Sequence, residues 1–104
     1  MKAYYFANND DFEIIDKNEI ITFAESPGKA KQDFSMLTGI HFKDIRVQRM
    51  PWADQYGSVD KIPESDFLEH GWYFTCEICG ENIESITDLN VTSHGYICNK
   101  CLLG

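Results

Sequence analysis

Long apolar runs are missing from this sequence. No stretch approaches the roughly 20 residues that cross a bilayer, so no membrane role is expected. Positive charge is scarce: 9 Lys and Arg stand against 17 Asp and Glu, a formal net charge of −8. A uniformly acidic chain repels nucleic acid. Cysteine is absent before position 76, and the phosphate-loop pattern G-x-x-x-x-G-K-[ST] is absent altogether. There is no internal repeat and no low-complexity tract. The opening "MKAYYFANNDDF" has neither the apolar core nor the small-residue cleavage site of a secretory signal, so a cytoplasmic protein is expected. Disorder is not expected, because a hydrophobic fraction of 43% is that of a globular chain.

The charge is unevenly distributed. Residues 1–28 sum to −4, residues 29–49 to +3 and residues 50–104 to −7. The basic island holds Lys29, Lys31, Lys43, Arg46 and Arg49, diluted only by Asp33 and Asp44. These five are the candidate contacts for an anion or a nucleic acid. Lys29 and Lys31 fall in the first turns of an expected helix, where free N–H groups favour anions. The alternative is two solvated lysines on an exposed face. Arg46 and Arg49 are three apart, so a regular strand points them to opposite faces. An ion pair between Arg46 and a nearby acid is the plainer expectation.

Local patterning predicts a small α+β unit. "KAYYFA" is rich in strand-forming aromatics, and residues 8–11 form a turn-prone break. A hairpin is expected from "FEII", a turn at Asp16 to Asn18, and "EIITFA". The clearest helix is "ESPGKAKQDFSMLTG": Ser26 suits the N-cap, Pro27 the first helical position and Gly39 the terminator. Ala30, Phe34 and Leu37 give it one apolar face. "FKDIRVQRM" alternates as a half-buried strand ended by Pro51, and "PWADQYGSVDKIP" reads as a loop. Trp52 and Tyr56 in that loop either cap the core or offer stacking surfaces. "ESDFLEHG" suggests a short helix stopped by Gly71, and "WYFT" a strand. The expected architecture is a β-β-α-β unit over residues 1–65, with its helix packed on a sheet, followed by a cysteine module over 66–104.

All four cysteines lie in that module. Cys76 and Cys79 form one C-x-x-C pair, Cys98 and Cys101 another, with 18 residues between. Two residues between cysteines let the backbone curl until both sulfurs face one point, about 2.3 Å from a metal. The curl also turns backbone N–H groups toward the sulfurs. Gly80 suits the left-handed turn after the first pair; Leu102 follows the second pair, where the turn is less ideal. One structural Zn2+ is expected. Iron takes the same ligand set, and disulfides or a catalytic dithiol are further alternatives. Four protein ligands leave no open position for hydrolytic water. His94 lies near the second pair, as a turn residue or as a substitute ligand. Between the pairs, "SITDLNVT", "SHG" and "GYIC" fit a hairpin, which resembles a zinc ribbon. A treble-clef finger needs a helix after its second pair; with only three residues following Cys101, none is expected.

Two segments carry a further resemblance. "FAESPGKAKQDF" and "FKDIRVQRMPWAD" are similar to a group of small phage- and prophage-encoded proteins, which join an A-x-x-x-GKAK helix start to an F-x-DIRV-x-R strand. Ala24, Gly28 to Lys31, Phe42, Asp44 to Val47 and Arg49 match that pattern. The resemblance implies a phage accessory protein in bacterial host cytoplasm, with a protein partner of host or phage origin. Such a partner would be basic, for instance a nucleic-acid-handling or defence protein. Direct nucleic-acid binding through residues 29–49 is the alternative. No enzyme is expected: His41, His70 and His94 are isolated, and no nucleophile–base set or paired-acid motif can be named.

Overall fold

In the computed structural model the described residues are 1–8, 12–14 and 16–103. Along the chain lie β1 (Lys2–Phe6), β2 (Glu13–Ile14), α1 (Lys17–Ile20), β3 (Ile21–Ala24), α2 (Pro27–Thr38), β4 (Val47–Arg49), α3 (Glu64–Glu69), β5 (Tyr73–Thr75), β6 (Asn82–Ile83), β7 (Leu89–Thr92), β8 (Gly95–Cys98) and α4 (Asn99–Leu103). They form a small mixed α+β chain divided into two units. Among the described residues, one unit holds 1–8 and Lys17–Ile62, and the other holds 12–14, 16 and 63–103. No helix among them is long and apolar enough to cross a membrane.

The first unit is built on a three-stranded sheet of order β3-β1-β4, antiparallel throughout. The aromatic run of β1 takes the centre, pairing Tyr5 with Ile21 on one side and Tyr4 with Arg49 on the other. Helix α2 packs on this sheet, burying Ala30 with Tyr4, Ala24 and the partly buried Val47. Its ends follow the sequence signals. The Ser26 hydroxyl accepts the Lys29 N–H at 3.2 Å, and Gly39 closes the helix at φ 78° with its N–H donating to the Ser35 carbonyl. Phe34 is 1% exposed and meets the Phe6 ring at 5.4 Å.

Several expectations fail here. The hairpin joining "FEII" to "EIITFA" does not form. Lys17–Ile20 is helical where the end of a turn and the start of a strand were expected, β3 pairs with β1, and β2 belongs to the second unit, where it pairs in parallel with β5. The fourth residue of "FEII", Ile15, and residues 9–11 of the expected break lie outside the described residues. Leu37, assigned to the apolar face of α2, is 56% exposed, so the buried stripe ends one turn early. Phe42–Asp44 is a 3-10 turn, and the strand shrinks to Val47–Arg49, although Ile45 is buried as expected. The expected loop after Pro51 is wound into two 3-10 segments, Pro51–Tyr56 and Val59–Lys61, in which Trp52 and Tyr56 are half-buried.

In the second unit β5 is the central strand of the sheet β2-β5-β6. Helix α3 ends where Gly71 takes φ 88°. The chain then turns so that the Trp72 N–H donates to the Phe67 carbonyl at 3.0 Å. Phe67 packs edge-on against both Trp72 and Phe74, with ring centres 6.0 and 6.2 Å away. Phe74 also meets Tyr96 of β8 at 4.5 Å, which ties the aromatic core to the cysteine region. Burial pushes the Tyr96 phenol well above its ordinary range, with Glu64 and Asp16 adding to the shift.

Candidate metal centre

The four cysteine sulfurs converge to within 4.8 Å of one another. The Cys79 and Cys98 sulfurs are 3.7 Å apart, far beyond a disulfide bond of about 2.05 Å. Four sulfurs placed tetrahedrally at about 2.3 Å from a centre lie about 3.8 Å from each other. The cluster therefore has the dimensions of a four-thiolate metal site.

The first pair sits in the tight turn joining β5 to β6, which pair antiparallel through Phe74 with Ile83 and Thr75 with Asn82. Gly80 closes this turn at φ 75°, and its N–H donates to the Cys76 carbonyl at 3.0 Å. Cys76 is anchored further: its own N–H reaches the Glu81 carbonyl at 3.0 Å. Glu77 then bridges to the other half, its N–H donating to the Tyr96 carbonyl at 2.9 Å.

The second pair arises from the expected hairpin. Strands β7 and β8 pair antiparallel from Leu89 with Cys98 to Thr92 with Gly95. Cys98 ends β8, and α4 begins at the next residue, so Cys101 projects from a helical turn. The expectation was that no helix follows the second pair; the helix found here begins inside the pair and carries its last cysteine. Leu102 was the local hint, because a chain without glycine there can continue as helix instead of closing a second glycine-type turn. His94 is an exposed turn residue whose backbone N–H donates to the Thr92 hydroxyl, and it is not part of the sulfur cluster.

The electrostatics of the cluster are compatible with a bound cation. The N–H groups of Cys79, Cys98 and Ile78 hold the Cys76 thiol down to about 6 against the opposing effect of burial. The contact from Cys98 is its N–H donating to the Cys76 sulfur at 3.5 Å. The Cys101 thiol is pushed up to about 12, first by its hydrogen bond with Cys79, then by burial and by the remaining sulfurs. For Cys79 the Glu81 N–H favours the thiolate, but burial and the neighbouring Cys76 and Cys98 outweigh it and raise the thiol. Packed this closely, four thiolates would repel one another, and a bound cation would relieve that repulsion.

Three polar residues missed by sequence reasoning fix the second pair. Asp88 accepts the Asn99 N–H at 3.0 Å, at the start of α4. The Asn99 side chain donates to the Thr87 carbonyl at 2.8 Å and accepts from Asn90 at 2.9 Å, while Asn90 also donates to the Ile97 carbonyl at 3.0 Å. An acid or amide on each side of the hairpin is the only sequence trace of this clasp.

The basic island is not one array of equivalent cations. Lys29, Lys43 and Arg46 are exposed, Lys31 is half-buried, and Arg49 is committed elsewhere. The Arg49 guanidinium forms a bidentate pair with Asp54 at 2.8 and 2.7 Å and lies 5.5 Å over the Tyr4 ring. Sequence reasoning looked for the ion pair at Arg46. The acid that accepts it stands five residues beyond Arg49, across Pro51.

Comparison with known proteins returns no match: no family model, no curated protein and no solved structure aligns with this chain.

Proposed function

We propose that the protein is a metal-stabilised interaction module. The carrying observation is the convergence of Cys76, Cys79, Cys98 and Cys101. The metal is one zinc ion with four thiolate ligands, which leaves no coordination site for substrate or water. Its role is structural: it joins the β5–β6 turn to the β8–α4 junction. A knuckle, a hairpin and a helical turn bearing the last ligand fit a treble-clef arrangement as well as a ribbon.

The acidic balance of residues 50–104 supports a basic protein surface as the partner of this module. The context suggested by the helix and strand motifs is a phage accessory protein acting on a host protein. Purified without added metal, the protein is expected to carry one zinc per chain by mass spectrometry and elemental analysis. Removal by a chelator should expose the Trp72 core, read as a red shift of its emission in a Trp52→Phe background. A metal-free chain with an unshifted Trp72 would refute the structural-metal reading. Capture from host lysate that survives nuclease supports the protein-partner reading; capture lost with nuclease refutes it.

A further inference from the structure

A second surface lies in the first unit, away from the cysteines in sequence and composition. Residues 36–42 leave an unusual share of apolar area in water: Met36 is 86% exposed, Leu37 56%, Phe42 42% and Ile40 36%. Met36 and Phe42, with Gln32 and Ser35, line an open concavity of about 340 Å³. A neighbouring concavity of about 300 Å³ is lined by Ser26, Gly28, Lys29, Gln32 and Phe42. Gln32 and Phe42 belong to both, so the two form one groove beside α2, apolar at one end and cationic at the other.

The charge of the groove says what fits it. Lys29 rims one concavity; Lys43 and Asp44 follow Phe42 in sequence, all three are exposed, and neither lysine has an ion-pair partner among the described residues. The lining of both concavities contains no acid. The acid on this helix, Asp33, is engaged by the Thr22 hydroxyl at 3.1 Å on the side facing β3. In a chain of net charge −8, these two concavities combine apolar side chains with a lysine and no acid.

We propose that the groove docks an acidic peptide segment of a partner protein. A large apolar side chain of that segment enters between Met36 and Phe42, and adjacent carboxylates face Lys29 and Lys43. Desolvation of the apolar contact supplies affinity, and the lysines supply register and on-rate. The site is independent of the metal centre.

The full-length, zinc-loaded protein, used as bait for a displayed library of random short peptides, tests this. Enriched peptides should place Asp or Glu beside Phe, Leu or Trp. Their binding, measured by fluorescence anisotropy, should weaken by roughly tenfold or more with Lys29→Glu plus Lys43→Glu, and again with Met36→Ser plus Phe42→Ser. These side chains are exposed, so the variants should keep the wild-type melting temperature. Val91→Ser, on the other unit, should leave binding unchanged. Enrichment of basic or neutral peptides, no enrichment, or equal binding by the variants overturns the proposal. It is equally overturned by sedimentation showing a dimer that Phe42→Ser dissolves, or by a groove that holds an oligonucleotide and no peptide.

Discussion

Glu77 lies directly against Gly95. A Cβ added at Gly95 would stand 2.7 Å from the Glu77 Cγ, and Gly95 holds φ at +105°. The Glu77 backbone cannot retreat easily, since its N–H is bonded to the Tyr96 carbonyl. Gly95→Ala should therefore pay for both backbone strain and displacement of Glu77, costing about 1–3 kcal/mol. Chemical denaturation of the zinc-loaded protein measures it. Loss below a few tenths of a kcal/mol would mean the β7–β8 turn relaxes freely.

Helix α2 offers a paired test of what its periodicity implies. Phe34→Ala removes a ring that is 1% exposed, and should cost about 3–5 kcal/mol. Leu37→Ala belongs to the same sequence stripe but lies in solvent, and should change stability by no more than about 0.5 kcal/mol. Equal losses would restore Leu37 to the core.

That contrast shows where the sequence is legible. Helix α2 was readable because its signals are local: Ser26, Pro27 and Gly39 act within one turn of themselves. The cysteine quartet was readable because ligand spacing is set by the geometry of a single turn. What stayed hidden depends on distance or on short elements. Glu13 pairs with Tyr73, a parallel contact that no neighbouring residue announces, so "FEII" looked like half of a hairpin. The 3-10 segments are too short to carry a period. The helix after Cys98 was hidden because its five residues show neither cap nor stripe.

Asn99 should tune the metal without touching it. Its side chain bonds the Thr87 carbonyl and Asn90, and these bonds hold the junction from which Cys98 and Cys101 are presented. Asn99→Ala is expected to lower zinc affinity by roughly tenfold in a chelator competition assay. Unchanged affinity would show that the sulfurs alone set the site.

Thr75 is a point of avoidable cost. Its Oγ1 is enclosed with no hydrogen-bond partner among the described residues, on the strand that leads into Cys76. Replacing the hydroxyl with a methyl group keeps the shape and the β-branched preference. Thr75→Val should raise stability by about 1 kcal/mol, read from the shift in denaturation midpoint at constant slope. A loss of stability would reveal a partner for the hydroxyl.

The Arg49–Asp54 pair predicts a specific acid limb. The Asp54 carboxylate accepts two bonds from Arg49 and the Ala3 N–H at 2.7 Å, and these hold it down to about 2, from an ordinary value of 3.8. A group depressed in the folded state stabilises it above the unfolded value. That contribution is lost as pH falls through the folded value. Asp54 should thus support the first unit fully above about pH 4 and lose its effect between about pH 4 and pH 2. Asp54→Asn retains an acceptor for Ala3 but removes the titration. Denaturation midpoints across that window should fall less steeply for the variant than for the wild type, with the two curves converging at the acid end. Parallel curves would mean that the pair is equally formed in the unfolded chain, or that solvent screens it fully.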